Sequence, residues 1–408
     1  MLFRRNLYKK LEKALQASPV VLLTGARQTG KSTLITEVGK GKNYTYVTFD
    51  SLTKYSAAKN DPEGFIEQLA KPVILDEVQR VPEIFLPIKL DVDQNRMAGR
   101  YALTGSANPL LIPRLGDTLA GRMRILQLYP LSQGELNDIF DDFIDNIFTE
   151  KSLKISKISK DQLIKKMIVG GFPTVQNLDK EDRDYWFDDY ITTILTREVK
   201  ELADIEGITE FPKLLRLLAT RAGGLFNIAE LSRASGLVST TLRRYIALLE
   251  TVFMVNFLKP WSTNLGKRLI KSSKSYLVDT GLLSSLLGIT PERLLQDPTL
   301  MGGLLENFIV TEFIKQASWS KRRVHLYHYR TNDGHEVDII IEDQAGGIVG
   351  IEIKSADTVV SKDFKGLRHL QEMYKDRFLK GIVLYTGHEI VPFGNNLFAY
   401  PVSSLWAE

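Results

Sequence analysis

The segment GARQTGKS, residues 25–32, has the residue types and spacing of a loop that binds phosphate. Its glycines let backbone N–H groups wrap an anion, and the start of a following helix adds a favourable dipole. In this pattern Lys31 reaches the β and γ phosphates of a nucleotide, and the Ser32 hydroxyl binds Mg²⁺. The apolar run VVLL precedes the loop and TLITEV follows it, as the pattern requires. The sequence therefore predicts a nucleotide site, and a chance glycine-rich turn is the weaker alternative.

A pair of acids ends a second apolar run, VILDEVQ, residues 73–79. Asp76 is placed to hold Mg²⁺, directly or through water, and Glu77 is placed to activate the attacking water. Solvated loop charges are the alternative, but a phosphate loop in the same chain favours the catalytic interpretation.

Two further features leave alternatives open. LTGSAN, residues 103–108, ends another strand with Thr104, Ser106 and Asn108, which either sense the γ-phosphate or shape a turn. Arg122, in LAGRMR, either supplies a positive charge from a neighbouring subunit or is a surface residue, and the second is favoured. Besides Glu77, the residues predicted to contact nucleotide or its metal are Gly25, Ala26, Arg27, Gln28, Thr29, Gly30, Lys31, Ser32, Thr33, Asp76, Ser106 and Arg122.

A second constellation begins in the strand IVGIEIKSAD, residues 348–357, where Glu352 and Lys354 are two apart and share one face. Asp338, in HEVDIII, lies on the preceding strand, so its carboxylate and that of Glu352 can share a divalent cation. Glu306, in the helix LLENFIVTEF, completes the predicted Mg²⁺ or Mn²⁺ ligand set, and Lys354 orients water or stabilises phosphate charge. The alternative is a buried ion-pair cluster without catalytic function.

The elements that must position these residues follow from hydrophobic patterning. Five apolar strands separated by helices within residues 20–132 predict a parallel sheet covered on both faces. Residues 135–222 read as helices, with GGFP at 170–173 as an interruption and one long helix over residues 182–199. The C-terminal part reads as αβββαβ, with Asp333-Gly334 at a hairpin turn.

The segment IAELSRASGLVSTTLRRYIALLE, residues 228–250, resembles a helix–turn–helix with Gly236 at the turn and Arg243 and Arg244 on the outer face. The strand VFMVNFL that follows makes a winged version plausible. Residues 213–274 hold eleven Lys and Arg against two acids, which favours contact with DNA phosphates. A protein–protein spacer is the alternative.

Composition excludes several classes of protein. A length of 408 residues predicts two to four domains, and the lack of cysteine excludes disulfides and Cys-ligated zinc. No apolar run approaches the roughly 18 residues of a membrane-spanning helix, and the charged N-terminus reads as an amphipathic helix, not a signal peptide. We therefore expect a cytoplasmic protein without a membrane partner.

The first part of the chain resembles the AAA-type branch of the P-loop ATPases through Gly25, Gly30, Lys31 and Ser32, with Asp76 and Glu77 for metal and water. The motif D…ExK on an αβββαβ order resembles the restriction-endonuclease-like (PD-(D/E)xK) fold. Val337, not proline, precedes the Asp, and many members of that fold lack this proline. The whole order resembles a group of prokaryotic AAA-type ATPases (AAA_14-like) that end in a domain of unknown function with this fold. The AAA resemblance implies nucleotide-driven conformational change and often self-association.

The predicted fold class is α/β, in four parts: a P-loop ATPase domain with a parallel sheet, a helical lid region, a winged helix and a restriction-endonuclease-like domain. Their predicted ranges are residues 1–132, 133–224, 225–262 and 263–408. We expect an ATP- and Mg²⁺-dependent ATPase that couples nucleotide state to DNA binding and to metal-dependent DNA cleavage at Asp338, Glu352 and Lys354. The alternative is a nucleotide-gated regulatory or scaffold protein whose C-terminal fold is inactive and binds other proteins.

Overall fold

The computed structural model describes residues 3–108, 119–149, 155–200, 210–264, 266, 268 and 272–407. Within the basic stretch of residues 213–274, positions 265, 267 and 269–271 lie outside the described residues. The chain divides into two compact units. The first comprises Met1–Pro130, Thr193–Ile205 and Arg244–Met254, and the second comprises Leu131–Thr192, Glu206–Arg243 and Val255–Glu408. The four predicted domain ranges stay predictions.

The first unit is built on a five-stranded sheet in the order β2-β3-β4-β1-β5, and all its paired strands are parallel. The strands are β1 (Val20–Thr24), β2 (Thr45–Thr48), β3 (Val73–Asp76), β4 (Tyr101–Gly105) and β5 (Met123–Gln127). Every residue of β1, β3 and β4 is buried, as expected for strands covered on both faces. The five predicted strands and their parallel pairing are confirmed.

One helix precedes the first strand of this sheet in the chain, and the others lie between its strands. The helices are α1 (Tyr8–Ala17), α2 (Lys31–Gly39), α3 (Leu52–Asn60), α4 (Pro62–Gln68) and α5 (Phe85–Gln94). Local sequence determines where α4 begins. The Asp61 side chain accepts a hydrogen bond from the Gly64 N–H at 2.9 Å, and Pro62 occupies the first helical position. Because α2 begins directly at Lys31, the phosphate loop occupies the whole connection from β1.

The helices of the second unit are defined by similar caps. Ser132 and Ser159 each form a capping box, with Glu135 and Gln162 respectively. The helices are α6 (Gln133–Leu136), α7 (Phe143–Ile147), α8 (Lys160–Val169), α9 (Lys180–Thr193), α10 (Phe211–Ala219), α11 (Ile228–Ser235), α12 (Ser239–Thr251), α13 (Thr280–Leu287), α14 (Pro291–Gln296), α15 (Thr299–Trp319) and α16 (Lys365–Met373). Two of these, α9 and α12, end within the sequence ranges of the first unit.

Two sequence predictions concern these helices. Gly170 ends α8 with φ 75°, and a Cβ there would lie 2.1 Å from Asp279 Oδ1, so the GGFP interruption requires glycine. The long helix predicted over residues 182–199 is not uniform, because the chain is α-helical through Thr193 and π-helical over Ile194–Val199.

The C-terminal sheet has six strands in the order β12-β13-β11-β10-β9-β8. The strands are β8 (Val324–Arg330), β9 (Glu336–Asp343), β10 (Ile348–Lys354), β11 (Phe378–Tyr385), β12 (Val391–Pro392) and β13 (Leu397–Pro401). β8, β9 and β10 are antiparallel neighbours, whereas β10 and β11 are parallel across α16. The predicted αβββαβ order is present from α15 to β11, with Gly334 at φ 83° in the hairpin turn.

A pair of short strands, β6 (Val255–Leu258) and β7 (Lys274–Leu277), is antiparallel and follows α11 and α12 in the chain. Asn227 caps α11 by accepting hydrogen bonds from the N–H groups of Ala229 and Glu230 at 3.0 and 3.2 Å. Gly236, in the left-handed conformation at φ 78°, ends it. The elements expected of a winged helix are present in order, and that interpretation stays a prediction.

None of the helices in the described part of the chain is long and apolar enough to cross a membrane.

Candidate functional site

The phosphate loop has the backbone that its glycines allow. Gly25 has φ 147°, and a Cβ there would lie only 2.0 Å from the Leu128 carbonyl oxygen. Gly30 has φ 92° immediately before α2, and Gln28 between them has φ 61°. The Thr29 hydroxyl donates to the Ala26 carbonyl oxygen at 2.9 Å, which ties the loop to itself. Because a side chain at position 25 would collide with backbone, any substitution there must displace the loop.

Lys31 lies inside this loop. Its ammonium nitrogen donates to the carbonyl oxygens of Gly25 and Ala26, both at 3.0 Å, and the residue is 4% exposed. Burial lowers the pKa of Lys31, while the carboxylates of Glu77 and Glu198 act in the opposite direction. The loop therefore holds a buried cation at the place where the sequence pattern puts the nucleotide phosphates.

Asp76 ends β3 beside the loop and gathers three hydroxyl groups. Its Oδ1 accepts hydrogen bonds from the Ser32 hydroxyl at 2.8 Å and from the Thr104 hydroxyl, and its Oδ2 accepts one from Tyr46 at 2.7 Å. Burial and the bond to Asp76 raise the pKa of Tyr46, so its hydroxyl stays a donor. Ser32 Oγ and Asp76 Oδ1 thus form a pair of hard oxygen donors, and this donor set suits Mg²⁺.

Glu77 follows Asp76 in a conformation that is uncommon for a residue other than glycine, with φ 60° and ψ 46°. Its N–H donates to Thr104 Oγ1 at 3.1 Å, which holds the backbone in this turn. Its Oε2 accepts a hydrogen bond from Gln79 Nε2 at 2.5 Å. The turn separates the Asp76 and Glu77 side chains, so each carboxylate makes its own contacts.

Sequence reasoning missed Glu198, which joins two predicted site residues. Its Oε1 accepts a hydrogen bond from Arg27 Nη1 in the phosphate loop, and its Oε2 accepts one from Ser106 Oγ at 2.7 Å. Gln79 Nε2 also donates to Ser106 Oγ at 2.8 Å, so Glu77, Gln79, Ser106, Glu198 and Arg27 form one hydrogen-bonded chain. Glu198 is 171 positions from Arg27, and no local pattern points to it.

Three other predicted or candidate residues have different surroundings. Arg122 forms an exposed ion pair with Asp93, with Nη2 and Oδ2 3.0 Å apart, as the surface interpretation expects. Thr33 is exposed on α2, and the Asn108 N–H donates to the Thr251 carbonyl oxygen at 2.8 Å. A contribution of Arg122 to a neighbouring subunit stays a prediction.

The second constellation also comes together. Glu352 and Lys354 share a face of β10, with Oε1 and Nζ 2.8 Å apart. Asp338, on β9, accepts a hydrogen bond at Oδ2 from the Ile353 N–H at 3.0 Å. Glu306, on α15, is bridged to Asp338 by a residue that sequence reasoning missed: the Lys274 ammonium lies 2.9 Å from Glu306 Oε1 and 3.0 Å from Asp338 Oδ1.

This arrangement does not support the predicted second metal site. Lys274 Nζ also lies 3.0 Å from Glu336 Oε1, so an ammonium occupies the position between the carboxylates. Across the described ranges, no group of three or more His, Asp or Glu side chains is arranged to hold a metal ion. Of the acids predicted as ligands, Glu306 and Asp338 contact Lys274, whereas Glu352 pairs with Lys354.

Burial affects the charges in this cluster. Desolvation, followed by the neighbouring Asp338 charge, raises the pKa of both Glu306 and Glu352 above the ordinary range of a carboxyl group. Desolvation acts to lower the pKa of Lys274. The negative charges of Asp338, Glu306 and Glu336 have a larger, opposite effect, so the pKa of Lys274 is raised. Lys274 is therefore charged at neutral pH.

Comparison with known families divides the chain into three matched segments. Residues 17–137 match an AAA domain, residues 160–293 match a domain of unknown function (DUF8612), and residues 301–405 match another (DUF4143). The AAA match covers the phosphate loop, Asp76 and Glu77. The Lys274 cluster combines a residue from the second segment with carboxylates from the third.

Relatives match the chain over nearly its whole length. An uncharacterized protein of Mycobacterium tuberculosis is 31% identical over 404 residues, which is 98% of this chain and 84% of the relative. An uncharacterized protein of Haemophilus influenzae is 22% identical over 409 residues, covering 93% and 94% of the two chains.

Similar solved structures include a Walker-type ATPase of Pyrococcus abyssi, at 13% identity and a TM-score of 0.44, covering 70% of this chain and 96% of that one. The RuvB Holliday junction branch migration motor of Thermotoga maritima is 20% identical with a TM-score of 0.30, covering 62% and 88%.

The identity to the mycobacterial protein over 98% of the chain, together with the AAA match around the phosphate loop, settles the classification. The chain belongs to the family of that uncharacterized protein and carries an AAA-type P-loop ATPase domain.

Proposed function

We propose that the first unit binds ATP with Mg²⁺ and hydrolyses it at Lys31, Ser32, Asp76 and Glu77. The observation that carries the proposal is the hydrogen bond between Ser32 Oγ and Asp76 Oδ1, at 2.8 Å, directly beside the phosphate loop. This contact places the two oxygen donors suited to Mg²⁺ next to a buried lysine.

Each side chain has a distinct part in the proposed reaction. Lys31 neutralises phosphate charge, because its ammonium is already held within the loop by two carbonyl oxygens. Ser32 and Asp76 would hold Mg²⁺, which neutralises charge on the β and γ phosphates. Glu77 accepts a proton from the attacking water, and Gln79 orients its carboxylate through the 2.5 Å hydrogen bond.

Nucleotide binding is the direct test of this proposal. With ATP and excess Mg²⁺, the melting temperature of the purified chain should rise by several degrees, because a ligand that binds only the folded state stabilises it. EDTA should remove most of this shift, since the Ser32–Asp76 pair would then lack its metal. A melting temperature unaffected by millimolar MgATP would contradict the proposal.

We further propose that α11 and α12 contact DNA phosphates. The support is the order of elements, two helices joined through Gly236 and followed by the β6–β7 pair, together with the exposed Arg243 and Arg244 on the second helix. Residues 213–274 hold eleven Lys and Arg against two acids. Lys274 and Arg268 are paired with carboxylates from the C-terminal sheet and α15, and the other nine keep this stretch of sequence basic.

Charge reversal tests the DNA proposal. Arg243→Glu combined with Arg244→Glu should weaken DNA binding about tenfold or more and flatten its salt dependence, because phosphate contacts release counterions. Fluorescence anisotropy of labelled duplex DNA at several salt concentrations measures both effects. The matched control is Lys9→Glu with Lys13→Glu, which changes the net charge equally at two exposed positions of α1. Equal weakening by both double variants would show that only overall charge matters.

A further inference from the structure

Lys274 makes an unusually complete set of contacts for a lysine. Its ammonium lies 2.9 to 3.0 Å from one oxygen each of Glu306, Glu336 and Asp338, and its side chain is 4% exposed. An ammonium group has three protons, so three carboxylate acceptors satisfy it fully. A buried charge with this much compensation is a built ion cluster and not an incidental surface pair.

The backbone around Lys274 fixes this lysine in place. Lys274 pairs with Leu258 across β6 and β7, and with Leu225 on its other side. The Gly223 N–H donates to the Ser275 carbonyl oxygen at 2.9 Å, and the Phe226 N–H donates to that of Ser273 at 2.8 Å. Hydrogen bonds on both edges of the strand therefore hold the lysine where its side chain enters the cluster.

Gly223 and Tyr276 both lie against the Glu306 carboxylate. A Cβ on Gly223, which has φ 81°, would lie only 3.0 Å from the Glu306 carboxyl carbon. The Tyr276 hydroxyl donates to Glu306 Oε1 at 2.8 Å, so this oxygen accepts from both Tyr276 and Lys274. The other Asp338 oxygen is bonded to the Ile353 N–H. Both Asp338 oxygens and Glu306 Oε1 therefore already have donors from the protein. Glu352 pairs with Lys354 through Oε1, and its buried Oε2 has no hydrogen-bond partner among the described residues.

We infer that Lys274 is a built-in cation that takes the place of a divalent metal among Glu306, Glu336 and Asp338. One helix, α15, and one strand, β9, supply the three carboxylates, and a lysine from the β6–β7 pair neutralises them. The cluster consequently joins that pair to the C-terminal sheet and performs no metal-dependent cleavage. The proposed role of Lys274 does not depend on ATP hydrolysis by the first unit.

Removing the internal cation provides the test. In the full chain without nucleotide, Lys274→Ala should lower the melting temperature by about 10 °C, because three carboxylates lose their common partner. Millimolar Mn²⁺ or Ca²⁺ should restore part of that loss, and EDTA should reverse the recovery, since the vacated position is lined with hard oxygens. The wild type should show no such metal response.

The matched control is the double variant Lys274→Ala, Asp338→Asn, which removes a ligand of the engineered site and should not respond to metal. If Mn²⁺ and Ca²⁺ do not raise the melting temperature of Lys274→Ala, the inference that the lysine takes the place of a metal is wrong.

Titration of the wild type with Mn²⁺, followed by electron paramagnetic resonance, tests the inference even if Lys274→Ala does not fold. We expect the wild type to bind no Mn²⁺ whose binding depends on Asp338. Binding of one Mn²⁺ that Asp338→Asn abolishes would overturn the inference. So would Mn²⁺-dependent cleavage of plasmid DNA that is lost in Asp338→Ala.

Discussion

Replacing Lys31 with alanine should lower ATP turnover about 100- to 1,000-fold, the usual cost of removing a preorganised group that stabilises transition-state charge. The ammonium is held by the Gly25 and Ala26 carbonyl oxygens, so it is already positioned within the loop. Alanine leaves the glycine backbone conformations intact but removes the cation. ATP affinity should fall as well, because Lys31 contacts the phosphates before and during the reaction. Coupled-enzyme measurement of ADP release gives the rate.

Lys40→Ala is the matched control for this variant. Lys40 lies just after α2, is exposed, and carries the same charge as Lys31 without contacting the loop carbonyls. Its turnover should equal that of the wild type. If Lys31→Ala keeps more than about half of the wild-type rate, the proposal that Lys31 stabilises phosphate charge is wrong.

Replacing Glu77 with glutamine should separate binding from chemistry. The amide keeps the size of the side chain but removes the base, so turnover should fall about 100-fold or more. Lys31, Ser32 and Asp76 are unchanged, so ATP should still bind with an affinity near that of the wild type. Equilibrium binding of radiolabelled ATP and single-turnover hydrolysis measure the two effects on the same protein.

Glu83→Gln is the corresponding control, because Glu83 is exposed and only six positions away. Hydrolysis by Glu77→Gln at the wild-type rate would assign the general base to another residue. Loss of ATP binding in Glu77→Gln would instead show that Glu77 supports the structure of the site.

The sequence predicts those structural features that are determined by residues close together in the chain. The phosphate loop depends on positive φ angles at Gly25 and Gly30 and on a helix that starts at Lys31, all within eight positions. The positions of Asp76 and Glu77 at the end of β3 follow from an apolar run that must end at the edge of a parallel sheet. Apolar runs likewise predict strands β9 and β10 of the C-terminal αβββαβ order, and most of their residues are buried.

Contacts between residues distant in the chain are the part that the sequence does not predict. Glu198 lies in a π-helical segment and reaches Arg27 and Ser106 only after folding. Lys274 is a single lysine in a short strand, and its three carboxylate partners come from α15 and β9. Spacing correctly groups Asp338 with Glu352, but it cannot tell whether a metal or a protein ammonium balances their charge.

Steady-state hydrolysis of ATP by the wild type, Lys31→Ala and Glu77→Gln, purified identically and measured with Mg²⁺, tests the central claim most directly. The structure predicts Mg²⁺-dependent turnover by the wild type and at least about a 100-fold loss in both variants, with ATP binding kept only in Glu77→Gln. Equal turnover by all three proteins, or no turnover by the wild type with MgATP bound, would contradict the claim that this loop and the acids at the end of β3 form an ATPase site.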